Sequence, residues 1–477
     1  MQNPFTLSRG NSLKRRHLSA PAWLMIIVAS FSFLAPANSA PPQAKNRPAA
    51  LDHQVTAFVN VNVVPMDTER VLPEQTVVVK DGRIVTLGPT AKTDVPKEAV
   101  RIDGSGKYLM PGLSDMHIHL PYNKYDRDDT PALLQLFIAH GVTTVLNLQG
   151  LPEHLPIREQ VAQGKLLGPV IYTSGFFINE PYFKTPDEVE RQIIKEKLDG
   201  YDFIKMHGEL SREAYHRLFE VARREGLRVI GHVPRNLGIQ VTLEEKQDVI
   251  AHAEEYLSGY FLFNRSCCTA EELRPMIREI AEATAKAGTW VIPTLTIFKG
   301  IAPQVEDLPA VLARSEMKYV PKGMATMWQP ERNRYREKKR EEIPALKNLY
   351  LLQELLVKGL RDAKVRLLAG TDAPATPAVA PGFSMHDELK NLVAAGLTSY
   401  EALRTATANA AEFLGAAEEF GTIAVGRRAD LILLNANPLA DVGHAARRSG
   451  VMLRGRWLPE AELQAMLATL AHANAIK

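Results

Sequence analysis

The sequence predicts an α/β fold: a (β/α)8 TIM barrel with a small β-sandwich domain formed by both termini. First, eight short apolar runs alternate with longer stretches of helical texture between residues 111 and 415, which is the pattern of parallel strands joined by helices. Second, runs rich in β-branched residues, separated by Asp-Gly and Gly-Ser-Gly turns, fill residues 54–110, and β texture returns in residues 416–460. Two β regions that flank a barrel predict one composite domain.

The amino-terminal 40 residues have the layout of a secretory signal peptide. They carry four basic residues and no acid, followed by the apolar run WLMIIVASFSFLA and small residues at positions 37–40. The apolar run is shorter than the ~20 residues that a membrane-spanning helix needs. We therefore expect export to the periplasm or beyond with no stable membrane anchor after cleavage, and a retained anchor is the alternative. The export route, general secretory or twin-arginine, stays open. Residues 41–53 are rich in Pro and Ala and are predicted to be a flexible leader.

The charge of the chain excludes one class of partner. The 477 residues contain 57 Lys and Arg against 54 Asp and Glu, a formal net charge of +3. The four basic residues of the leader account for this excess, so the exported chain would be near neutral. A protein that binds nucleic acid through its phosphates is usually far more basic, so we expect no nucleic-acid partner.

The barrel segment can be followed strand by strand. The eight predicted strands are MPGLSDMHIHL, VTTVLNL, GPVIYTSG, YDFIKMHG, LRVIGHV, DVIAHAEE, TWVIPTLTIF and VRLLAGTDA. A highly charged segment, residues 300–348, lies between the last two runs and is predicted to be a helical insertion near the barrel mouth. We interpret it either as a lid over the site or as an exposed helix face. Residues 461–477 are predicted to form a C-terminal helix.

Metal-ligand residue types occur where these strands end. The set is His117, His119, Lys205, His232, His252 and Asp372. The C-terminal ends of barrel strands meet at one mouth, and residues i and i+2 of a strand project to the same side. Imidazole and carboxylate groups gathered there are the ligands that zinc prefers. A single such His usually serves the core, but the whole set predicts a metal site.

The same stretches resemble the amidohydrolase superfamily. The matching motifs are MPGLSDMHIHL at 110–120, FIKMHG at 203–208, VIGHV at 229–233, IAHAEEY at 250–256, AGTDA at 369–373 and the closing GTIAVGRRADLILLNANPL at 421–439. The stretch at 386–415 is similar to the imidazolonepropionase-related branch, which contains metal-dependent amidases and Xaa-Pro dipeptidases. The resemblance covers roughly residues 54–460.

The resemblance implies a site with two divalent metal ions, for which zinc is the expected metal. His117, His119 and Asp372 would hold one ion, and His232 and His252 the other. Lys205 would bridge them as a carbamate formed with CO2, because a free ammonium has no lone pair to donate. A hydroxide shared by the ions would attack the substrate, and Asp372 would carry the proton to the leaving nitrogen. An ordinary barrel lysine is the alternative for Lys205.

The predicted function is therefore an exported binuclear hydrolase that cleaves the C–N amide bond of a small molecule such as a dipeptide or an N-acyl amino acid. The run from His232 to Arg235 lacks the acid that the superfamily's deaminases place there, which disfavours deamination. The alternatives are a lactone, a phosphotriester or a cyclic amide at the same site, because loops rather than the fold set the substrate. A secreted non-catalytic binding protein is a further alternative.

Four more residues are candidates for contact with the substrate. Arg235 could bind a carboxylate through its fork of donors, or pair with a nearby acid. Tyr256 and Tyr260 could polarise the scissile carbonyl or line the pocket, although packing is the commoner role. His207 lies two residues after Lys205 and could face the same region. The sequence leaves open whether the chain forms a homo-oligomer.

Overall fold

The computed structural model describes residues 48–123, 126–260, 270–377 and 379–475, apart from the side chains of 258–260 and 270–272. The predicted signal peptide, residues 1–40, lies outside this part of the chain. The strands are β1 (Thr56–Val63), β2 (Leu72–Lys80), β3 (Arg83–Pro89), β4 (Val100–Asp103), β5 (Tyr108–Pro111), β6 (Leu113–Ile118), β7 (Val142–Asn147), β8 (Val170–Thr173), β9 (Phe203–Met206), β10 (Arg228–Gly231), β11 (Val249–Ala251), β12 (Trp290–Ile292), β13 (Leu431–Leu434), β14 (Arg448–Leu453) and β15 (Arg456–Pro459).

The helices follow the strands in the central part of the chain. They are α1 (Thr130–Ala139), α2 (His154–Ala162), α3 (Pro186–Asp199), α4 (Arg212–Arg224), α5 (Gly238–Glu244), α6 (Glu254–Tyr260), α7 (Ala270–Ala287), α8 (Leu295–Lys299), α9 (Ile301–Leu312), α10 (Lys322–Met327), α11 (Ile343–Asp362), α12 (Phe383–Ala394), α13 (Ser399–Thr405), α14 (Ala408–Phe413) and α15 (Glu460–Ala475). Among the residues described, no helix is both long enough and apolar enough to cross a bilayer.

Both ends of the described chain contribute to one sheet. Strands β1–β5 and β13–β15 pair in the order β15-β14-β13-β5-β1-β2-β3, and β4 also pairs with β1. The junction is the antiparallel pair β5–β13, in which Leu109 lies opposite Leu433. The Asp-Gly turn between β2 and β3 has positive φ at both residues, 49° at Asp81 and 72° at Gly82, as a two-residue hairpin turn requires. The β-rich segments from both ends of the described chain therefore lie in one sheet.

The central strands are all parallel. Strands β6-β7-β8 form one sheet and β9-β10-β11-β12 another. A parallel bridge between Ser174 and Phe203 links the two sheets, and bridges from Leu367 to Val291 and from Ala373 to Ile118 place residues 365–373 between β12 and β6. The hydrogen bonding therefore runs through the eight predicted segments in cyclic order.

The eighth segment differs from the prediction because it is not a regular strand. Its backbone bonds to both neighbours, from Leu368 N to Val291 O at 2.9 Å and from Asp372 N to His117 O at 2.7 Å. Asp372 has a φ of 61°, which breaks the pleat of a strand. The backbone therefore leaves the strand conformation at Asp372, the residue whose carboxylate is predicted to bind metal.

The charged segment between β12 and residues 365–373 folds as helices α9 and α10, a linking stretch and the start of α11. Trp328, 2% exposed, donates its indole N–H to Pro374 O at 3.0 Å. Met324 N donates to the Asp129 carboxylate at 2.8 Å. These contacts hold the segment against the loops that follow β6 and residues 365–373, on the side where those strands end.

Glu388 of α12 is expected to be a large single contributor to stability. It is fully buried, and its carboxylate accepts hydrogen bonds from Leu295 N at 3.0 Å, Thr296 N at 2.8 Å and the Thr296 hydroxyl at 2.8 Å. We expect Glu388→Ala to lower the free energy of unfolding by about 3–5 kcal/mol, because three buried donors lose their acceptor. Urea unfolding measures the difference. The matched control is Glu412→Ala, which removes a surface ion pair with Arg366 at 3.3 Å and should cost less than about 1 kcal/mol. Equal effects of the two substitutions would contradict the prediction.

Candidate metal centre

A compact group of metal-ligand side chains lies at the C-terminal ends of the parallel strands. His117 ends β6, His252 follows β11, and Asp372 lies in the eighth segment; each offers one ligand atom, and these atoms lie within 4.8 Å of one another. His119 joins them, with its Nε2 2.8 Å from Asp372 Oδ1, and His117 Nε2 is 3.2 Å from the same oxygen. One carboxylate oxygen thus faces two imidazoles.

His232 extends this group on the side of β10. Its ring lies 4.7 Å from that of His252 and 4.4 Å from that of His207, measured between centroids. Its Nδ1 contacts Glu255 Oε1 at 2.5 Å. Because Glu255 occupies Nδ1, Nε2 is the His232 nitrogen that remains available to a metal ion.

Lys205 of β9 is buried at the same end of the strands. It is 2% exposed, and its Nζ has no hydrogen-bond partner among the described residues. Burial lowers the pKa of Lys205 to about 8, although Asp372 and Glu255 oppose this effect. After burial, the charge of Lys205 is the next largest cause that lowers the pKa of both His117 and His232. The amine therefore lies near both histidines. An uncompensated ammonium here is costly.

One predicted ligand, His252, and its hydrogen-bond partner Thr294 both have unusual backbone conformations. His252 has a φ of 76° and Thr294, in the turn after β12, a φ of 50°; the latter is a rare value for a β-branched residue. The Thr294 hydroxyl contacts His252 Nδ1 at 2.7 Å, which orients the ring and again leaves Nε2 free. Strain of this kind persists only where the surrounding structure imposes it, and it clusters at functional sites.

Asp115 ties the first strand to the eighth segment beneath the ligands. Its carboxylate accepts hydrogen bonds from the Thr371 hydroxyl at 2.7 Å, from Thr371 N at 3.0 Å and from His117 N at 3.3 Å. Burial raises the pKa of Asp115 to about 7, and these hydrogen bonds act in the opposite direction. Asp115 therefore fixes the spacing between the backbone of His117 and that of Asp372.

The donor set fits divalent cations. Buried atoms without a hydrogen-bond partner in the described part of the chain include His117 Nδ1, His119 Nδ1 and Lys205 Nζ. Burial lowers the pKa of His117 well below its usual value and that of His252 to about 3, so both rings are neutral and keep a lone pair. Burial alone would raise the pKa of Asp372, but contact with His119 and the nearby positive charges hold it below its usual value. Neutral imidazoles beside a carboxylate suit zinc and related metals.

A cavity of about 600 Å³ opens above these ligands. His207 and Arg235, both predicted from the sequence to contact the substrate, lie in its lining together with the six predicted ligands. The charged segment supplies one wall, namely Met324, Met327, Arg332, Asn333, Arg334, Tyr335, Lys338 and Leu346. The segment predicted as a lid or an exposed helix face therefore lines the pocket.

Tyr256 corrects the sequence-based prediction of a contact with the substrate. It is fully buried in the hydrophobic core and is not part of the cavity lining. Its hydroxyl contacts the Thr284 hydroxyl at 3.3 Å. Helix α6 begins at Glu254, and the first turn directs Tyr256 inwards towards α7. The side chain of Tyr260 lies outside the described residues.

The sequence profile of the amidohydrolase family matches residues 108–458, a span that contains all six predicted ligands. The chain belongs to the amidohydrolase family. The predicted resemblance to this family is confirmed.

Three comparisons place this amidohydrolase among its relatives. It is similar to a crystal structure assigned as a prolidase from Bifidobacterium longum, with a TM-score of 0.64 and 25% identity over 88% of this chain and 99% of that one. It is 38% identical to an imidazolonepropionase of Stenotrophomonas maltophilia over 72 residues, 15% of this chain and 18% of that protein. It is 34% identical to an adenine deaminase of a Ruegeria species over 105 residues, 22% of this chain and 17% of that protein. The two curated relatives are thus matched over less than a fifth of their own length.

Several pocket residues of this amidohydrolase were not singled out from the sequence. Glu254 and Glu255 stand in the motif AHAEEY, but the motif alone does not show which acid meets His232. Tyr122 follows strand β6 and lines the cavity. Nothing in the sequence around it marked it as a pocket residue. Arg334 and Tyr335 lie in the charged segment, whose composition pointed equally to solvent.

Proposed function

We propose that this amidohydrolase is an exported binuclear metal-dependent enzyme, built on a closed (β/α)8 barrel with a small β-sandwich domain, that hydrolyses the amide bond of a dipeptide or an N-acyl amino acid. The observation that carries the proposal is the buried Lys205, whose Nζ lacks a hydrogen-bond partner within the described residues while its charge bears on His117 and on His232. A carbamate on that amine would supply oxygen ligands to metal ions held by the neighbouring histidines.

Each ligand would have a defined part. His117, His119 and Asp372 would hold one ion, His232 and His252 the other, and carbamylated Lys205 would bridge the two; zinc is the proposed metal. When bound, the ions would activate water and polarise the scissile carbonyl. Glu255 orients His232 at 2.5 Å and Thr294 orients His252 at 2.7 Å, so the rings are positioned before any ligand arrives.

Asp372 is the proposed proton carrier. Its Oδ1 faces His117 and His119, and its pKa lies below the usual value despite burial, so it is ionised and able to accept a proton. It would pass that proton to the leaving nitrogen as the C–N bond breaks. The cavity of about 600 Å³ above it has room for a small substrate.

The alternatives use the same ligands on another bond, namely a lactone, a phosphotriester or a cyclic amide. Export is proposed from the leader sequence, whose basic and apolar stretches precede a small-residue site. A metal-free secreted binding protein is a weaker proposal, because all six ligand positions carry residues able to bind metal.

Removal of metal is the first test. We expect protein dialysed against a chelator to lose all amide hydrolysis and to regain it with about two equivalents of Zn²⁺, assayed on dipeptides and N-acyl amino acids beside lactones and phosphotriesters. Turnover of the lactones or triesters alone would replace the amide proposal with its alternative. Isolated protein that takes up no zinc would favour the binding protein.

A further inference from the structure

Arg235 and Arg334, two of the three arginines among the described residues of the cavity lining, come from distant parts of the chain. Arg235 follows strand β10 and its ligand His232, whereas Arg334 lies in the linking stretch between α10 and α11. Both side chains are exposed, and both lie in the lining of the cavity above the metal centre. A residue of the inserted segment thus shares this opening with a residue of the strand framework.

The two guanidinium groups have few partners within the described part of the chain. Within the part of the chain that the structure describes, neither Arg235 nor Arg334 makes a side-chain hydrogen bond or an ion pair; Arg334 only lies over the Tyr335 ring, 5.1 Å from its centroid. Neighbouring basic residues of the segment are paired, Arg336 with Glu337 at 3.2 Å and Lys338 with Glu342 at 2.7 Å. Arg235 and Arg334 therefore keep their donors for another partner.

Acids of the cavity lining contact groups other than these arginines. Glu255 contacts His232 Nδ1 at 2.5 Å. The carboxylate of Asp126, also in the lining, accepts hydrogen bonds from Asn123 N at 3.0 Å and Asn123 Nδ2 at 2.8 Å. Within the described part of the chain, neither arginine forms an ion pair with Glu254, a further acid of the lining, so both can attract an anionic group.

Apolar side chains also line the cavity. Phe177 and Phe298 line the cavity together with Met324, Met327 and Leu349. Flexible methionines and aromatic rings accommodate apolar groups of different shapes. The pocket therefore combines a place for an anion with a place for a hydrocarbon or aromatic group.

We propose that Arg235 and Arg334 together bind a free carboxylate of the substrate, which selects amides whose amino-acid part ends in a carboxylate and carries an apolar group. The inference rests on the proposed amidohydrolase function and assigns the inserted segment a role in substrate selection. The planar fork of arginine matches a carboxylate in a two-bond arrangement that a neutral carboxamide cannot reproduce.

A matched substrate pair tests this selection. N-benzoyl-phenylalanine and its neutral carboxamide share the scissile bond and the apolar group and differ in charge. We expect Arg334→Met to lower kcat/KM for the acid about 10–100-fold, the range for a lost charge-assisted contact, and to change that for the carboxamide less than about threefold. Arg336→Met, in the same segment but outside the cavity lining, should change neither. A parallel loss on both substrates, or on neither, would overturn the proposal.

A binding measurement separates this proposal from the proposed function. N-benzylglycine has a methylene in place of the amide carbonyl of N-benzoylglycine and cannot be hydrolysed. Calorimetry on the zinc-loaded protein should show that Arg334→Met weakens its binding at least about tenfold, while N-benzylglycinamide binds both proteins equally. Charge-dependent binding without amide turnover would retain the carboxylate site and reject the proposed function. Amide turnover with binding indifferent to Arg334 would do the reverse.

Discussion

Asp372→Asn is expected to lower kcat/KM for amide hydrolysis about 10³–10⁴-fold. The asparagine keeps an oxygen near His117 and His119 but cannot accept and release a proton, and general acid–base groups contribute about 10²–10⁴-fold. The carboxylate also balances the positive charge of a metal centre, so the substitution should lower metal content as well. Steady-state kinetics and elemental analysis of the purified protein measure the two effects.

Asp128→Asn is the matched control for this substitution. Asp128 is exposed in the turn before α1 and lies outside the cavity lining, so both the activity and the metal content should stay at the wild-type level. Full activity in Asp372→Asn would remove Asp372 from the proposed mechanism. Loss of metal with full activity after reconstitution would leave it as a ligand only.

Lys205→Ala is expected to lower both the bound metal and kcat/KM at least about 100-fold, since even residues that only support ligands cost 10–100-fold when lost. The substitution removes the amine that would carry the carbamate and leaves a gap at the end of β9. Short carboxylic acids such as acetate or propionate should enter this gap and restore part of the metal content and the activity. Metal analysis and kinetics across a range of acetate concentrations provide the measurement.

Lys358→Ala provides the comparison for the lysine. Lys358 is exposed on α11 and pairs with Asp362 at 2.8 Å, and its loss should change neither property and show no response to acetate. Full activity and full metal content in Lys205→Ala would contradict the binuclear mechanism. Loss of activity with a normal metal content would instead assign Lys205 a role at the substrate.

The grouping of the six predicted ligands at one end of the strands could be anticipated from the sequence because their signals are local. Each strand is a short apolar run, and parallel strands have their C-terminal ends on the same side. The position of a His within such a run therefore indicates which end of the strand it occupies. Patterns within single segments predicted the α/β class, the β-rich segments at both ends of the described chain and most of the candidate site residues.

The contacts that orient the ligands could not be predicted, because they join segments distant in sequence. Glu255 meets His232 across 23 residues and Thr294 meets His252 across 42, and no periodicity reports such a pairing. The prediction that Tyr256 contacts the substrate was wrong for a related reason. The strand ends at Ala251 and α6 begins at Glu254, and a turn between strand and helix changes which side chains face the pocket.

The pairing of β5 with β13 has a consequence for the order of folding. Leu109 and Leu433 are more than 300 residues apart, so this sheet remains incomplete during synthesis until the intervening segment with its parallel strands has left the ribosome. Closing so long a loop in an otherwise unfolded chain is slow and entropically unfavourable. If the intervening segment forms first, it brings the two strands together and shortens the search. The sheet would then assemble last, because β5 and β13 can pair only once the intervening chain has folded.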